Sequence, residues 1–587
     1  GAASGAAGVE VSATSSLLPA EPPLGGHEAL GLVIAAVVLI LALGSLVAAG
    51  LPLLTALAGV FIGVGGAFAL SANFHMTTST PALGLMIGLA VGIDYALFVV
   101  HKHRSLMIRS DLAARDAVGE AVATAGSAVL FAGLTVVIAL LGLLTLGIAF
   151  VNTMALTAAT TVTLAVLIAL TALPALLGLV GERIATSRAR LRGRRPGRQR
   201  IAHGWVSGVT RRPWLTVLGV AALPAPGLDL GMPSGAVAQV DSPQRTSYDA
   251  ITEAFGEGTN APLIVLAREI ELAGFDQETL LSTQQGLADT DGVVDVALMG
   301  VSPDNSLAIY QVTPEGGPND ESTADLVTRL RSVPLPDVGL LGVTGLTAMN
   351  IDLSEALAAA IPGYVVLVVV LSLLVLLVVF RSVLVPLAAT FGFLLTMAAV
   401  AGLVVTAFGN PDWTWLVGVD RPGPILPFLP IMATGILYGL ANDYQLFLGT
   451  SIREEYVRGS DARTAIRGGF VHAGRVVVAA AIIMVSVFGG FVLSSDTTIR
   501  QFGFALSVGI LIDAFLIRMT LIPALLHIAG ERAWWLPRWL DAILPAVDIE
   551  GARLRQRGTT SSDPPELAPA EPAGSPPAEP VVVVGRP

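Results

Sequence analysis

No cysteine occurs among the 587 residues. Disulfide frameworks, thiolate metal sites and cysteine nucleophiles are excluded with it. Lysine is almost as scarce, since Lys102 is the only one. It follows His101 rather than a glycine-rich turn, so no phosphate-cradling loop of the Gly-Lys-Ser/Thr type exists and ATP-driven chemistry has no support within the chain. The seven histidines show no HExxH or other metal-ligand spacing, and neither metal nor cofactor is expected. Charge is sparse too: 13% of residues, against about 25% in soluble globular domains. Hydrophobic residues make up 53% and the mean hydropathy is +0.75. This is the composition of an integral membrane protein.

Apolar runs of about 20 residues, enough to span a bilayer core, lie near 27–44, 46–70, 82–101, 122–145 and 154–178. Five more lie near 360–380, 383–408, 425–449, 472–494 and 500–529. The two sets repeat. Asp94-Tyr95 in LMIGLAVGIDYALFVV and Asp443-Tyr444 in MATGILYGLANDYQLFL are 349 positions apart (443 − 94). LPALLGLVGER (Leu173 to Arg183) and IPALLHIAGER (Ile522 to Arg532) share that offset. One transmembrane unit has been duplicated, and each copy carries an acid at the same depth.

Positive charge orients the spans. The basic loops 101–110 and 451–467, the ten arginines between Arg183 and Arg212, and the tail after Arg532 belong on the cytoplasmic side. The loop 410–423, with Trp413 and Trp415 at interface height, belongs on the other. Parity then demands one more crossing between 212 and 360. The candidate is Trp214 to Leu223, bracketed by Pro213 and Pro224. Ten residues reach roughly 15 Å, against a core of about 30 Å. A short, tilted or defective eleventh helix is expected over 213–228.

Between 227 and 358 the chain changes character, with 20 Asp/Glu against 4 Arg. Strand-like runs at 262–267, 293–300, 307–313 and 340–344 alternate with helical runs at 277–288 and 322–333. The order is βαββαβ, the ferredoxin-like split arrangement, with amphipathic helices near 243–255 and 348–360 beside it. Its acidity argues against nucleic acid and against docking to anionic headgroups. From Gly558 eight prolines fall within thirty residues, a disordered composition.

Seven segments follow: 1–26, structureless; 27–180, a first bundle of five helices; 181–212, an Arg-rich cytoplasmic linker; and 213–228, the short crossing. After these come 229–358, an external α+β domain; 359–530, a second bundle; and 531–587, a cytoplasmic segment and disordered tail. The fold class is a polytopic α-helical membrane protein of two pseudo-repeated bundles, about eleven helices in all.

A charge at mid-bilayer costs about 2.5–3.5 kcal/mol even on the lenient insertion scale. A chain that bears this cost twice in matching contexts uses the carboxyl groups. Small residues flank each acid: Ala90 and Gly92 before Asp94, Gly439 and Ala441 before Asp443. They let helix backbones approach closely, which would bring the two acid helices together along the duplication axis. Burial there favours the neutral acid, while the Tyr95 and Tyr444 hydroxyls can donate to a carboxylate across the pair. A group poised between protonated and ionised forms is what a proton carrier requires. The plainer reading, an acid tied to a tyrosine merely to lock two helices, is weakened by the repetition. Asp513, in LIDAFLIRM, has no counterpart because position 164 is Leu; it reads as a structural partner of Arg518. An intramembrane aspartyl protease would also place two acids on neighbouring helices. Its GxGD signature is absent, with Gly92-Ile93-Asp94 and Ala441-Asn442-Asp443 in its place.

With these residues in view, the chain resembles the MMPL (mycobacterial membrane protein large) transporters of the resistance-nodulation-division (RND) superfamily. GIDYALFVV and LANDYQLFLGTSIREEY look like the family's fourth and tenth helices. DTTIRQFGFALSVGILIDAFLIRMTLIPALL and WWLPRWLDAILPAVDIEG look like its last helix and exit sequence. The resemblance implies twelve helices with an external porter domain after the first and seventh, and export of lipids or other hydrophobic compounds across the plasma membrane, driven by proton entry. It implies a secondary transporter rather than an enzyme, with membrane lipids, a hydrophobic cargo and protons as partners, and leaves monomer or trimer open. The relay maps onto Asp94, Tyr95, Asp443 and Tyr444. Asn442 departs from the apolar or small residue usual there and can hydrogen-bond within the relay. Residues 1–26 read as the remnant of a first porter domain whose helix is missing; a truncated, non-transporting remnant or scaffold is the alternative this raises.

Overall fold

A computed structural model describes residues 26–70, 79–109, 113–184, 199–211, 213–214, 230–240, 242–269, 274–335, 338–457, 459 and 461–544. The expected remnant at 1–25, nearly all of the short crossing over 213–228, and the Pro-rich tail lie outside the described residues.

The first bundle comprises α1 (Gly26–Leu43), α2 (Leu46–Leu70), α3 (Ser79–Arg109), α4 (Ala114–Leu146) and α5 (Ala149–Val180). A basic helix, α6 (Gln199–Arg211), follows and packs against the second bundle, where Trp205 Nε1 donates to the Met519 carbonyl at 3.0 Å. The second bundle comprises α10 (Leu346–Phe380), α11 (Leu384–Gly409), α12 (Leu429–Val457), α13 (Ala462–Phe491) and α14 (Thr497–Trp534). The duplication is visible in the backbone. The turn after α1 is made by Gly44 at φ 63° and the turn after α10 by Arg381 at φ 47°. Gly181 and Gly530, 349 positions apart, close the LPALLGLVG and IPALLHIAG helices at φ 58° and 56°, a region that glycine enters freely.

Each expected apolar run coincides with a helix, yet length and composition qualify only seven of the described helices as membrane spans: α2, α3, α4, α5, α10, α11 and α14. An eighth is α13 if its arms Ala462–Val471 and Val476–Phe491, bent by 49°, count as one. Among the described residues, seven or eight of the expected eleven spans meet these criteria. The apolar stretch of α1, Ala29–Leu43, is short. In α12 the consecutive polar residues Asn442 to Gln445 dilute the apolar run.

Between the bundles, α7 (Pro243–Phe255) leads into β1 (Leu263–Glu269), α8 (Gln277–Ala288), β2 (Val293–Val301), β3 (Leu307–Pro314), α9 (Glu321–Ser332) and β4 (Val338–Thr344). Caps start the helices: Ser242 Oγ accepts from the Arg245 amide and Asp276 from the Thr279 amide. The sheet runs β2-β3-β1-β4 with every pairing antiparallel, as the βαββαβ order expected from sequence requires. Its core holds Leu263, Val265, Tyr310, Val312 and Leu330.

Two connections join this domain to the second bundle. α10 begins inside it, with Ala348 in its core, and continues unbroken past Pro362 to Phe380. The loop before α12 docks beneath it: the Gly231 amide donates to the Ile425 carbonyl at 2.9 Å, and Arg421 meets Asp249 at 3.3 Å. Arg500 and Gln501 at the start of α14 hold the same loop through the Gly418 and Pro424 carbonyls.

Candidate functional site

The acid of the first copy sits on the most enclosed helix of the bundle. Every residue of α3 from Thr80 to Val100 is buried, Asp94 to 1% exposure. Glycines make this enclosure possible. A methyl group on Gly88 would strike Thr161 of α5 and Val60 of α2; one on Gly92 would lie 3.0 Å from the Ala56 side chain. On α12, a methyl group on Gly439 would strike Val136 of α4. The small residues thus seat α2, α4 and α5 against the acid helices; they do not join the acid helices to each other, as the sequence had implied. The backbones of α3 and α12 scarcely approach within 8 Å.

Those two helices meet through large side chains instead. The Phe98 and Phe447 rings lie 4.9 Å apart between centroids, one turn beyond the acids. Above them Tyr95 and Asp443 face a shared cavity, otherwise walled by Ala125, Ala128, Val129 and Ala132 of α4. About 20 Å³ of it is open to the centre of a water molecule, room for one. The Tyr95 hydroxyl lies within electrostatic reach of the Asp443 carboxyl but completes no hydrogen bond of good geometry. Gly133 lets α4 close on α5, since a methyl group there would strike Val166, while it would only touch the Tyr95 ring. All four carboxyl oxygens of Asp94 and Asp443 are buried without a hydrogen-bond partner among the described residues. An ionised carboxylate in such a place costs several kcal/mol unless something offsets it.

Tyr444 is placed differently from its counterpart. Its hydroxyl donates to Met484 Sδ of α13 at 2.6 Å rather than crossing to Asp94. The helix that receives it is itself part of an exchange between halves: α4 packs on α12, and its counterpart α13 packs on α3.

A third helix contributes the cation that composition made scarce. Asp513 and Arg518 of α14 form an ion pair at 3.1 Å with side chains 5% and 1% exposed. Five residues apart in an α-helix they would stand about 140° apart around the axis. The π-helical stretch Ile512–Leu521, with its i→i+5 register, turns both to one side. Arg518 Nη1 also donates to Gln445 Oε1 on α12, and its charge acts on Asp443. The sequence supplied the Asp513–Arg518 partnership but not the bridge to Gln445. The available signal was the unbroken polar run Asn442-Asp443-Tyr444-Gln445, which covers every side of one helical turn. Tyr95 and Asp94 from α3, Arg518 and Asp513 from α14, and Met484 from α13 surround that turn.

A repeated bundle, a βαββαβ domain between its halves and unpartnered acids at matching positions define a narrow class. The MMPL family pattern matches residues 20–216 and 241–566. The chain belongs to the MMPL family. Among its MMPL relatives, the membrane protein YdfJ of Bacillus subtilis is 41% identical over 554 residues, covering 93% of this chain and 76% of that protein. The mycolic acid-containing lipids exporter MmpL11 of Mycolicibacterium smegmatis is 31% identical over 533 residues, 88% of this chain and 55% of the exporter. The trehalose monomycolate exporter MmpL3 of Mycobacterium tuberculosis is 26% identical over 574 residues, 89% of this chain and 60% of the exporter. The chain thus spans little more than half the length of these two exporters.

Proposed function

We propose that this MMPL protein exports lipids or other hydrophobic compounds across the plasma membrane, driven by protons that bind and leave Asp94 and Asp443. The observation that carries the reading is the pair itself: two buried carboxyl groups, related by the duplication, with no hydrogen-bond partner among the described residues, Asp443 facing Tyr95, the neighbour of Asp94, across a shared cavity. Neither acid is spent on structure, whereas Asp513 is. A proton moving through 100 mV releases about 2.3 kcal/mol, and the Arg518 charge that acts on Asp443 gives the ionised state somewhere to be tolerated. The names of MmpL11 and MmpL3 support a lipid or similarly hydrophobic cargo. In this reading the βαββαβ unit is an extracytoplasmic porter domain, the C-terminal segment is cytoplasmic, and the membrane part has the eleven-helix arrangement implied by the parity of the basic loops.

The test compares the extractable lipids of the cell envelope in cells lacking the gene and in cells complemented with the unsubstituted protein, Asp94→Asn or Asp443→Asn. The expected outcome is a lipid or apolar metabolite that stays on the cytoplasmic side in the deletion and in both variants. Normal export by both variants would remove the relay from the account.

A further inference from the structure

The surface of α12 that faces α10 and α11 carries a second set of polar groups, unused by the pair. Thr434, Tyr438 and Asn442 recur every four residues and so lie on one side of the helix. They are 5%, 1% and 3% exposed. Their neighbours come from α10 and α11: Ser372 lies beside Tyr438, the Phe393 ring is 5.6 Å from the Tyr438 ring, and Thr434 Oγ1 reaches Met397 Sδ at 3.6 Å. The Tyr438 hydroxyl is within electrostatic reach of Ser372, Asn442 and Asp443, yet neither it nor Asn442 Nδ2 completes a hydrogen bond among the described residues.

Leaving an amide or hydroxyl buried and unbonded costs about 1–3 kcal/mol, so two together call for an explanation. Helix packing does not supply one, because the duplication offers a control. The positions 349 earlier are Leu85, Leu89 and Ile93, all apolar and buried, on a helix that packs well without them. With Ser45 aligned on Ser382, Ser372 corresponds to Ala35. The polar file exists on one copy only, and it ends at the acid of that copy. Its other end points to Leu429, where α12 emerges beneath the βαββαβ domain.

We infer that Tyr438, Asn442 and Ser372 form the route by which protons travel between the domain side of the membrane and Asp443, and that Asp94 exchanges protons only through its partner. In each transfer the Tyr438 hydroxyl accepts a proton from a hydronium ion on the domain side, leaving water, and releases its own towards the Asp443 carboxylate, so it ends neutral and Asp443 ends protonated. Asn442, which has no proton to spare, holds the intervening water. The route rests on the relay reading above, and the experiment separates the two.

The whole chain in phosphatidylcholine–phosphatidylglycerol nanodiscs is given an acid pH jump while the infrared carboxyl C=O stretch is followed in time. The Asp443 contribution is assigned by its loss in Asp443→Asn. In Tyr438→Phe, and independently in Asn442→Leu, the Asp443 band should reach the same amplitude roughly tenfold more slowly, as the loss of a hydrogen-bonding step allows. An unchanged rate in both variants would overturn the route and leave the relay standing. A wild-type band that does not respond to pH would overturn the relay, and the route with it.

Discussion

Arg518→Met is the substitution whose consequences follow most directly from the coordinates. The guanidinium is 1% exposed and bonds both Asp513, 3.1 Å away, and Gln445. Removing it strands a carboxylate that is itself 5% exposed, and breaking one side of a buried pair costs about 3–5 kcal/mol. Replacing both partners with apolar residues of similar volume is often neutral or stabilising, so Asp513→Leu combined with Arg518→Met should recover most of the loss. Stability can be read cleanly because the chain has no cysteine: a single cysteine placed at buried Ala514 reports unfolding through its reactivity with a thiol dye. If the pair is only structural, the double variant regains transport as well as stability. If Arg518 also tunes Asp443, the double variant is stable yet deficient in proton-coupled export. A single substitution that costs less than about 1 kcal/mol would refute the buried-pair reasoning altogether.

The two relay tyrosines should separate. Tyr95→Phe is expected to lower proton flux in proteoliposomes roughly tenfold or more, because its hydroxyl faces Asp443, while Tyr444→Phe loses a bond to a thioether and should fall less. Gly133→Val should overpack Val166 of α5 and cost about 1–3 kcal/mol, read as a fall in thermal stability. In the βαββαβ domain, Ser302, Ser306 and the Ser306 amide hold the Asp304 carboxyl down at about 2, below the value near 3.9 of an unfolded chain. Its contribution to the β2–β3 turn is therefore complete above about pH 4 and is lost as pH falls through about 2. The protection factor of the Ser306 amide, its exchange rate relative to an unfolded chain at the same pH, should fall over that window in the unsubstituted protein and should already be low at neutral pH in Asp304→Ala.

Much of the architecture could be read from residues because membrane helices and core strands stand out as apolar runs of characteristic length. Leu263 to Ala267 and Leu307 to Tyr310 are unbroken apolar runs of strand length, and the 349-residue offset located both acids. What escaped was anything set by three-dimensional neighbours. The sequence shows that Gly92 and Gly439 are small but not which helix fills the space beside them, and the fillers proved to be Ala56 and Val136. It shows Asp513 and Arg518 five residues apart, an awkward spacing until a π-helical register turns both to one side. Gln445 carried no role in the sequence reading, yet it is the acceptor that ties α14 to the acid-bearing turn of α12. Tyr444 and Tyr95 are equivalent in sequence but not in surroundings: Tyr444 bonds Met484, whereas the position 349 earlier is Thr135, whose hydroxyl donates to the Ala132 carbonyl of its own helix.

The most direct measurement of the central claim is simultaneous recording of proton entry and lipid movement. Proteoliposomes made with envelope lipids from the native cell, loaded with a pH-sensitive dye and given an imposed pH gradient, report both fluxes from one preparation. Asp94→Asn and Asp443→Asn should each abolish proton flux and lipid translocation together while the protein remains folded. Lipid translocation that continues at the unsubstituted rate in both variants would contradict the account.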